Sequence, residues 1–259
     1  MDSAARVINS RIGRTVICSD RRYAYEEAQE IIETGKGDYV EEITTLNNLA
    51  KIMRKERFQN GSVEFDRAEV KFDIDKDGHP TGVYFKESKD ANKLIEEFML
   101  LANRTVATYI GRGQTKKKSK AFVYRVHDQP DPGKLQDLAT VARAFGYKIK
   151  TSGSAKEVNR SINKMLADVK GRAEENYLST LAIRSMAKAI YSTDNIGHYG
   201  LGFDYYTHFT SPIRRFPDMM VHRLLEKYLA GGRSASLEKL NEQCSHSSTM
   251  EQLAANAER

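Results

Sequence analysis

Apolar residues recur at helical spacing along most of the chain. In residues 19–35 (SDRRYAYEEAQEIIETG), Tyr25, Ala28, Ile31 and Ile32 share one face, and Gly35 stands where a left-handed cap is needed. Residues 40–59 predict a second amphipathic helix, with Ile43, Leu46, Leu49, Ile52 and Met53 as its apolar face. Over residues 61–86 the period changes to two. VEFDRAEVKFDI and PTGVYF flank DKDGH, a strand–turn–strand pattern bent at Asp77-Gly78. The clearest helix covers residues 90–110, where Leu94, Phe98, Leu101, Ala102, Val106 and Tyr109 form one stripe. Gly111 and Gly113 end it, and QTKKKSK follows as a basic loop. AFVYRVH (121–127) reads as a short strand, DQPDPGK as a turn, and Leu135 to Phe145 as a helix closed by Gly146. YKIK reads as a strand or extended segment, and residues 155–168 and 173–190 as helices. Residues 6–18 are rich in β-branched side chains and predict one bent strand or two short ones.

Periodicity then breaks. IGHYGLGFDYYTHFTSPIRRFP (196–217) packs three Gly, two Pro, two His, two Arg and six aromatics into one stretch, a composition unlike packing filler. Pro217 suits the first turn of a following helix, DMMVHRLLEKYLA, which Gly231-Gly232 ends. MEQLAANAER closes the sequence in helical pattern without a cap, and no internal repeat is visible. Helices and strands in this order define a mixed α/β chain.

Composition narrows the class. The 259 residues are 40% hydrophobic and 29% charged, enough to bury a core in one large domain or two small ones. No run of about 18 apolar residues is present, so no membrane span is expected. The first residues lack the apolar core of a secretory signal. Two cysteines, Cys18 and Cys244, cannot build a disulfide framework, and a reducing, cytoplasmic setting is expected. The net charge is +6, and it is concentrated. Residues 111–160 hold twelve Lys/Arg against four Asp/Glu, so one segment carries the basic character. That favours a polyanion at a defined face; the alternative is a solvated basic loop.

Motifs for familiar chemistries are few. Asp73, Asp75, Asp77 and Gly78 imitate the start of a calcium loop, but the twelfth position is Tyr84 where a bidentate Glu belongs, so a hairpin turn is expected. The six histidines are scattered, with no zinc spacing, no G-x-S-x-G elbow and no P-loop. The richest stretch is 193–223. Thr207, Thr210 and Ser211 offer hydroxyls there, and Arg214 and Arg215 offer planar forks suited to phosphate. Both lead into a helix N-terminus, which also favours anions. Tyr205, Tyr206 and Phe209 could stack on bases or pack a core.

At this point a family resemblance appears. YTHFTSPIRRFPDMMVHRLL resembles the signature of the ribonuclease II/ribonuclease R exoribonucleases, the bacterial ribonuclease R branch in particular. LIEEFMLLANRTVA, DRRYAYEEAQEIIETG, VEFDRAEVKFDID and YRVHDQPDPGKL resemble further blocks of the same family, in its order and across nearly the whole chain.

The resemblance implies a mixed fold with a β-sheet core wrapped by helices around an RNA channel. It implies hydrolysis of single-stranded RNA from the 3′ end, releasing nucleoside 5′-monophosphates. It also implies Mg²⁺ held by four aspartates in a D-x-x-x-x-x-D-x-D-D motif. That motif is absent here, so the Mg²⁺ expected for a complete enzyme has no ligands assigned in this chain. Residues 1–259 are accordingly expected to be the downstream part of one catalytic domain, truncated at both ends, without cold-shock or C-terminal OB-fold domains. By position in the matching blocks, Arg214 is the expected catalytic residue, on the scissile phosphate. Tyr25 and Glu97 are expected near the terminal ribose, and Phe65 against the last base. Arg215, His208, Thr210 and Ser211 are supporting RNA contacts. Lys116, Lys117, Lys118 and Lys120 should add phosphate affinity near the RNA path. The expected partner is single-stranded RNA, bound by a monomer. The alternatives are a non-catalytic RNA-binding or regulatory protein derived from such an enzyme, and a structural interaction module.

Overall fold

The computed structural model describes residues 1–63, 69–112 and 120–257. Helices dominate, and the described strands form two antiparallel two-stranded sheets. The mixed helix-and-strand class therefore holds, with helices supplying more of the core, and strands less, than the β-sheet core implied by resemblance. The chain divides into two compact units.

The first unit comprises residues 1–8, 16–55 and 64–98. Its first helix, α1 (Tyr25–Thr34), opens with Glu26 and Glu27 in its first turn, where carboxylates favour the helix N-terminus. It ends at Gly35, whose φ of 66° is the left-handed cap that the glycine predicts. Helix α2 (Val40–Gln59) has the predicted bounds but a different buried face: Asn47 and Ala50 are buried in this unit, while Leu46 and Ile52 are exposed. Strands β1 (Glu69–Ile74) and β2 (Pro80–Lys86) pair as the predicted hairpin, with Val70 opposite Phe85 and Phe72 opposite Val83. The Asp75 carboxylate accepts the backbone N–H groups of Asp77 and His79, both at 2.9 Å. Gly78 takes a φ of +86°. The calcium-loop imitation is thus an Asx-type turn. Helix α3 (Asp90–Gly111) begins in this unit, where Ala91 donates its N–H to Gln29 Oε1 at 2.9 Å.

The predicted strands over residues 6–18 do not form. Val16 and Ile17 are fully exposed there, with relative exposures of 103% and 87%. β-branched composition favours extended backbone, but a strand needs a ladder partner, and none of the described residues provides one.

The second unit comprises residues 9–15, 56–63 and 99–259. Strand β3 (Tyr124–Val126) pairs with β4 (Ile190–Ser192), Arg125 opposite Tyr191. Its core gathers Val106, Phe122, Val123, Val126, Tyr191, Val221, Leu225 and Leu240 around this pair. These come from the end of α3, from β3 and the two residues before it, from β4, and from helices α7 (Phe216–Leu229) and α8 (Leu237–Ala257). Each fully buried side chain of this size is worth about 1.5–3 kcal/mol. A second cluster is helical. Helix α4 (Pro132–Ala144), capped by the Asp131 side chain on Lys134 N–H, packs on α6 (Glu175–Ser185). Helix α5 (Ala155–Val169), with a Ser154/Glu157 capping box, packs on α6 as well. The helix predicted through residue 190 stops at Ser185, because Ile190–Ser192 is taken up by pairing with β3. YKIK (147–150) joins no ladder among the described residues.

Gly111, at the end of α3, lies under the Tyr205 ring. A Cβ there would sit 2.3 and 2.4 Å from two ring carbons and 3.1 Å from the Tyr124 hydroxyl. Gly111→Ala should therefore lose about 1–3 kcal/mol, the usual cost of overpacking, in urea unfolding. Parental stability would show that Tyr205 can swing away without loss.

Candidate nucleic-acid interface

The aperiodic segment before α7 lacks long ladders, so its polar groups are met one at a time. Asn103, buried on α3, does two jobs. Its amide nitrogen donates to the Tyr206 hydroxyl at 3.1 Å, and its carbonyl oxygen accepts the Phe209 N–H at 3.0 Å. Thr207 Oγ1 donates to Val123 O at 2.7 Å. His222 Nε2 donates to Phe209 O at 2.9 Å, and its ring stacks on Phe209 with centroids 4.1 Å apart. The histidines join an aromatic series: His127 faces His198, His198 meets Tyr206, and Tyr206 meets His208, each pair 5.0–5.8 Å between centroids. His127 donates from Nε2 to Ala187 O and accepts the Gly200 N–H at Nδ1, which fixes the neutral tautomer.

Burial sets the charge state of this series. It holds the His127 imidazole below its ordinary value and, with His127 and Arg125 nearby, pushes His198 down to about 3. Burial, followed by the guanidinium groups of Arg215 and Arg125, pushes His208 down to about 2. His208 shares a 2.8 Å hydrogen bond with the Tyr191 hydroxyl, which burial raises to about 12. His208 is therefore a neutral packing and hydrogen-bonding group.

The turn itself, Thr210 to Arg215, is organised by one residue of α7. Asp218 is fully buried. Its Oδ1 accepts the Ser211 N–H at 2.8 Å and an Arg215 Nη2 bond at 2.7 Å. Ser211 O accepts the N–H groups of Arg214 and Arg215 at 3.3 and 3.0 Å. Arg215 is thus drawn inward, whereas Arg214 is exposed and makes no side-chain hydrogen bond or ion pair among the described residues. Thr210 Oγ1, Arg215 Nε and Asp218 Oδ2 are buried without a hydrogen-bond partner among the described residues. The predicted group Arg214, Arg215, His208, Thr210 and Ser211 does come together on one short stretch. Asp218, Asn103 and His222 were not predicted. An acid at the third helical position after a proline, and polar residues on apolar helix stripes, are the signals that mark them.

Lys120 is tied down. Its Nζ donates to Gly232 O at 2.8 Å and lies 4.8 Å from the Tyr228 ring centroid. Lys116, Lys117, Lys118 and Phe65 lie outside the described residues.

In the first unit, Tyr25 is exposed at the start of α1, with Lys86 Nζ 6.0 Å from its ring centroid. It borders a cleft of about 670 Å³ with Tyr23, Tyr39, Leu46 and Leu94. Glu97 is 3% exposed, inside the buried stripe of α3, with Arg54 Nη1 4.0 Å from its carboxylate. Among the described residues no three His, Cys, Asp or Glu side chains gather to hold a metal ion.

The chain belongs to the RNB domain family, whose model matches residues 1–231. Ribonuclease R of Aquifex aeolicus is 37% identical over 95% of this chain and 35% of the relative. The fold is similar to that of Mycoplasma genitalium RNase R, solved in complex with ribose methylated single-stranded RNA. That match has a TM-score of 0.81 at 24% identity, over 92% of this chain and 38% of that one. Yeast Ssd1, a pseudonuclease, has the same fold with a TM-score of 0.70 at 22% identity, over 95% of this chain and 30% of that one. The chain spans about a third of the length of the curated relatives it matches.

The neutral histidines give a pH signature. In the unfolded chain His198 and His208 protonate below about pH 6.5, while in the folded chain they stay neutral until about 3 and 2. Their contribution to stability is therefore complete above pH 6.5 and falls as pH drops through the window between those values. Each should cost about 1.4 kcal/mol per pH unit there. Urea unfolding at pH 7.5 and 5.5 should show the loss, and His208→Gln should flatten the dependence. An unchanged slope in that variant would show His208 titrating normally.

Proposed function

We propose that this chain is part of an RNB-type catalytic domain that engages single-stranded RNA. The activity it serves is 3′→5′ exoribonucleolytic hydrolysis releasing nucleoside 5′-monophosphates. The observation that carries this reading is Arg214: an exposed guanidinium, fixed at its backbone by Ser211, in the block most like the family signature. Its planar fork suits two oxygens of one phosphate, and a donor set in place before the reaction stabilises charge that develops there. The RNA complex of the M. genitalium relative supports the choice of ligand. Tyr25 and Glu97 are proposed for the terminal ribose, whose 2′-hydroxyl both donates and accepts. Phe65 is proposed as a stacking group for the last base, and Ser211 and the Lys116–118 run as contacts to the RNA backbone; Thr210, whose Oγ1 is buried, belongs to the fold of the turn and not to the RNA contact surface.

Divalent-metal chemistry would supply an activated water and charge neutralisation at the departing oxygen. The four-aspartate motif that would bring Mg²⁺ is not in this sequence. The second reading, RNA binding without catalysis, draws on that departure and on the fold shared with a pseudonuclease.

Purified chain should bind labelled single-stranded RNA with an affinity that falls steeply with salt, because bound phosphates release counterions. With Mg²⁺ present it should not release mononucleotides. Mononucleotide release that co-purifies with the chain would overturn the second reading and the expectation of an inactive isolated chain. Salt-insensitive or absent binding would overturn the RNA assignment itself.

A further inference from the structure

Two adjacent arginines enter α7, and their surroundings differ. Arg215 is largely buried, at 20% side-chain exposure, and its Nη2 lies 2.7 Å from a carboxylate that is wholly buried. Arg214, one residue earlier, points to solvent with no side-chain partner among the described residues. The same Asp218 oxygen that takes Arg215 also takes the Ser211 N–H, so one carboxylate ties the start of the turn to its end. We infer that Asp218 and Arg215 are a positioning pair: Asp218 cancels the charge of Arg215 and sets the turn, so that of the two arginines only Arg214 meets the phosphate. This rests on the RNA-binding reading above and deepens it.

The physical case is one of charge and access. A guanidinium neutralised by a buried carboxylate displaces no condensed cation from the RNA, since it brings no net positive charge to a phosphate. An exposed one does. Arg215 therefore belongs to the fold of the turn, and the paired-arginine motif contributes one cation to the ligand, not two. A buried pair of this kind is costly to break from one side, because the remaining charge is left without a partner. Variants that keep hydrogen-bonding groups are thus the informative ones.

The test measures the slope of log affinity for a single-stranded oligoribonucleotide against log salt in the full chain. Each phosphate neutralised contributes about 0.7 to that slope for single strands. Arg214→Gln should flatten it by about 0.7. Arg215→Gln should leave it unchanged. Asp218→Asn, which keeps an acceptor for Ser211 but frees the charge of Arg215, should steepen it by about 0.7. A slope that flattens as much with Arg215→Gln as with Arg214→Gln overturns the division, while RNA binding itself stands. A second measurement is independent of RNA. In arginine-resolved NMR, rotation of the Arg215 guanidinium should be slow in the parent and fast in Asp218→Asn, with Arg214 fast in both. If the parent binds no RNA, the functional reading fails and this measurement still decides the pair: equal mobility of the two arginines overturns it.

Discussion

A partly buried backbone without a regular ladder must find its hydrogen bonds elsewhere, and this constraint shapes the second unit. Between β4 and α7 the chain has a few bridges to residues 125–127, and beyond them it relies on side chains. Asn103, His127, Asp218 and His222 reach in from α3, from the end of β3 and from α7 to take up its N–H and C=O groups. Each such group left unmet would cost about 1–3 kcal/mol, a large share of the margin by which a domain is stable. The polar residues inside the core are therefore the devices that let an irregular segment be buried at all.

The same economy governs the cations. The basic stretch at 111–160 looks like a ready-made polyanion face, yet several of its charges are committed. Arg125 makes two bonds to Glu251, at 2.6 and 3.0 Å, and lies 4.5 Å from the Tyr191 ring centroid. Lys150 pairs with Glu157, and Lys120 is bound to a carbonyl. Local net charge in a sequence counts ionised groups, whereas a ligand is drawn less to a cation already paired with a carboxylate, as Arg125 is. The histidines make the complementary point: four of the six are packed into the unit, and His198 and His208 are held neutral by burial. Their value there is hydrogen bonding and shape.

Helices announced themselves because their apolar period is local. The bounds of α2, α4, α5 and α7 fall within a few residues of the spacing-based expectation, and the β1–β2 hairpin sits at its Asp-Gly turn. What was not legible is what depends on distant partners. Residues 6–18 have the composition of a strand but no ladder among the described residues. Residues 186–190 look helical, but the strand beginning at Ile190 pairs with β3. The buried face of α2 departs from its apolar stripe, with Asn47 on it, and on α3 Glu97 and Asn103 join the predicted stripe on the buried side, where an apolar-only pattern skips them. The arginine turn could be recognised by its residues, but the inequality of Arg214 and Arg215 could not, because it arises from Asp218 and from burial.

That inequality follows from how the turn is built. Pro212 fixes φ early in the turn and Pro217 fixes it in the first turn of α7 just beyond, and Ser211 O accepts the N–H groups of both arginines. Asp218 lies in the first turn of α7, where the helix N-terminus favours negative charge, and from there it holds Ser211 and Arg215 together. With its backbone set and its neighbour's charge cancelled, Arg214 is left with only its own side-chain torsions to order when an anion arrives. Much of the entropic cost of forming a phosphate contact is then met during folding, which is the sense in which a short, proline-bounded turn braced by a buried carboxylate is preorganised for an anion.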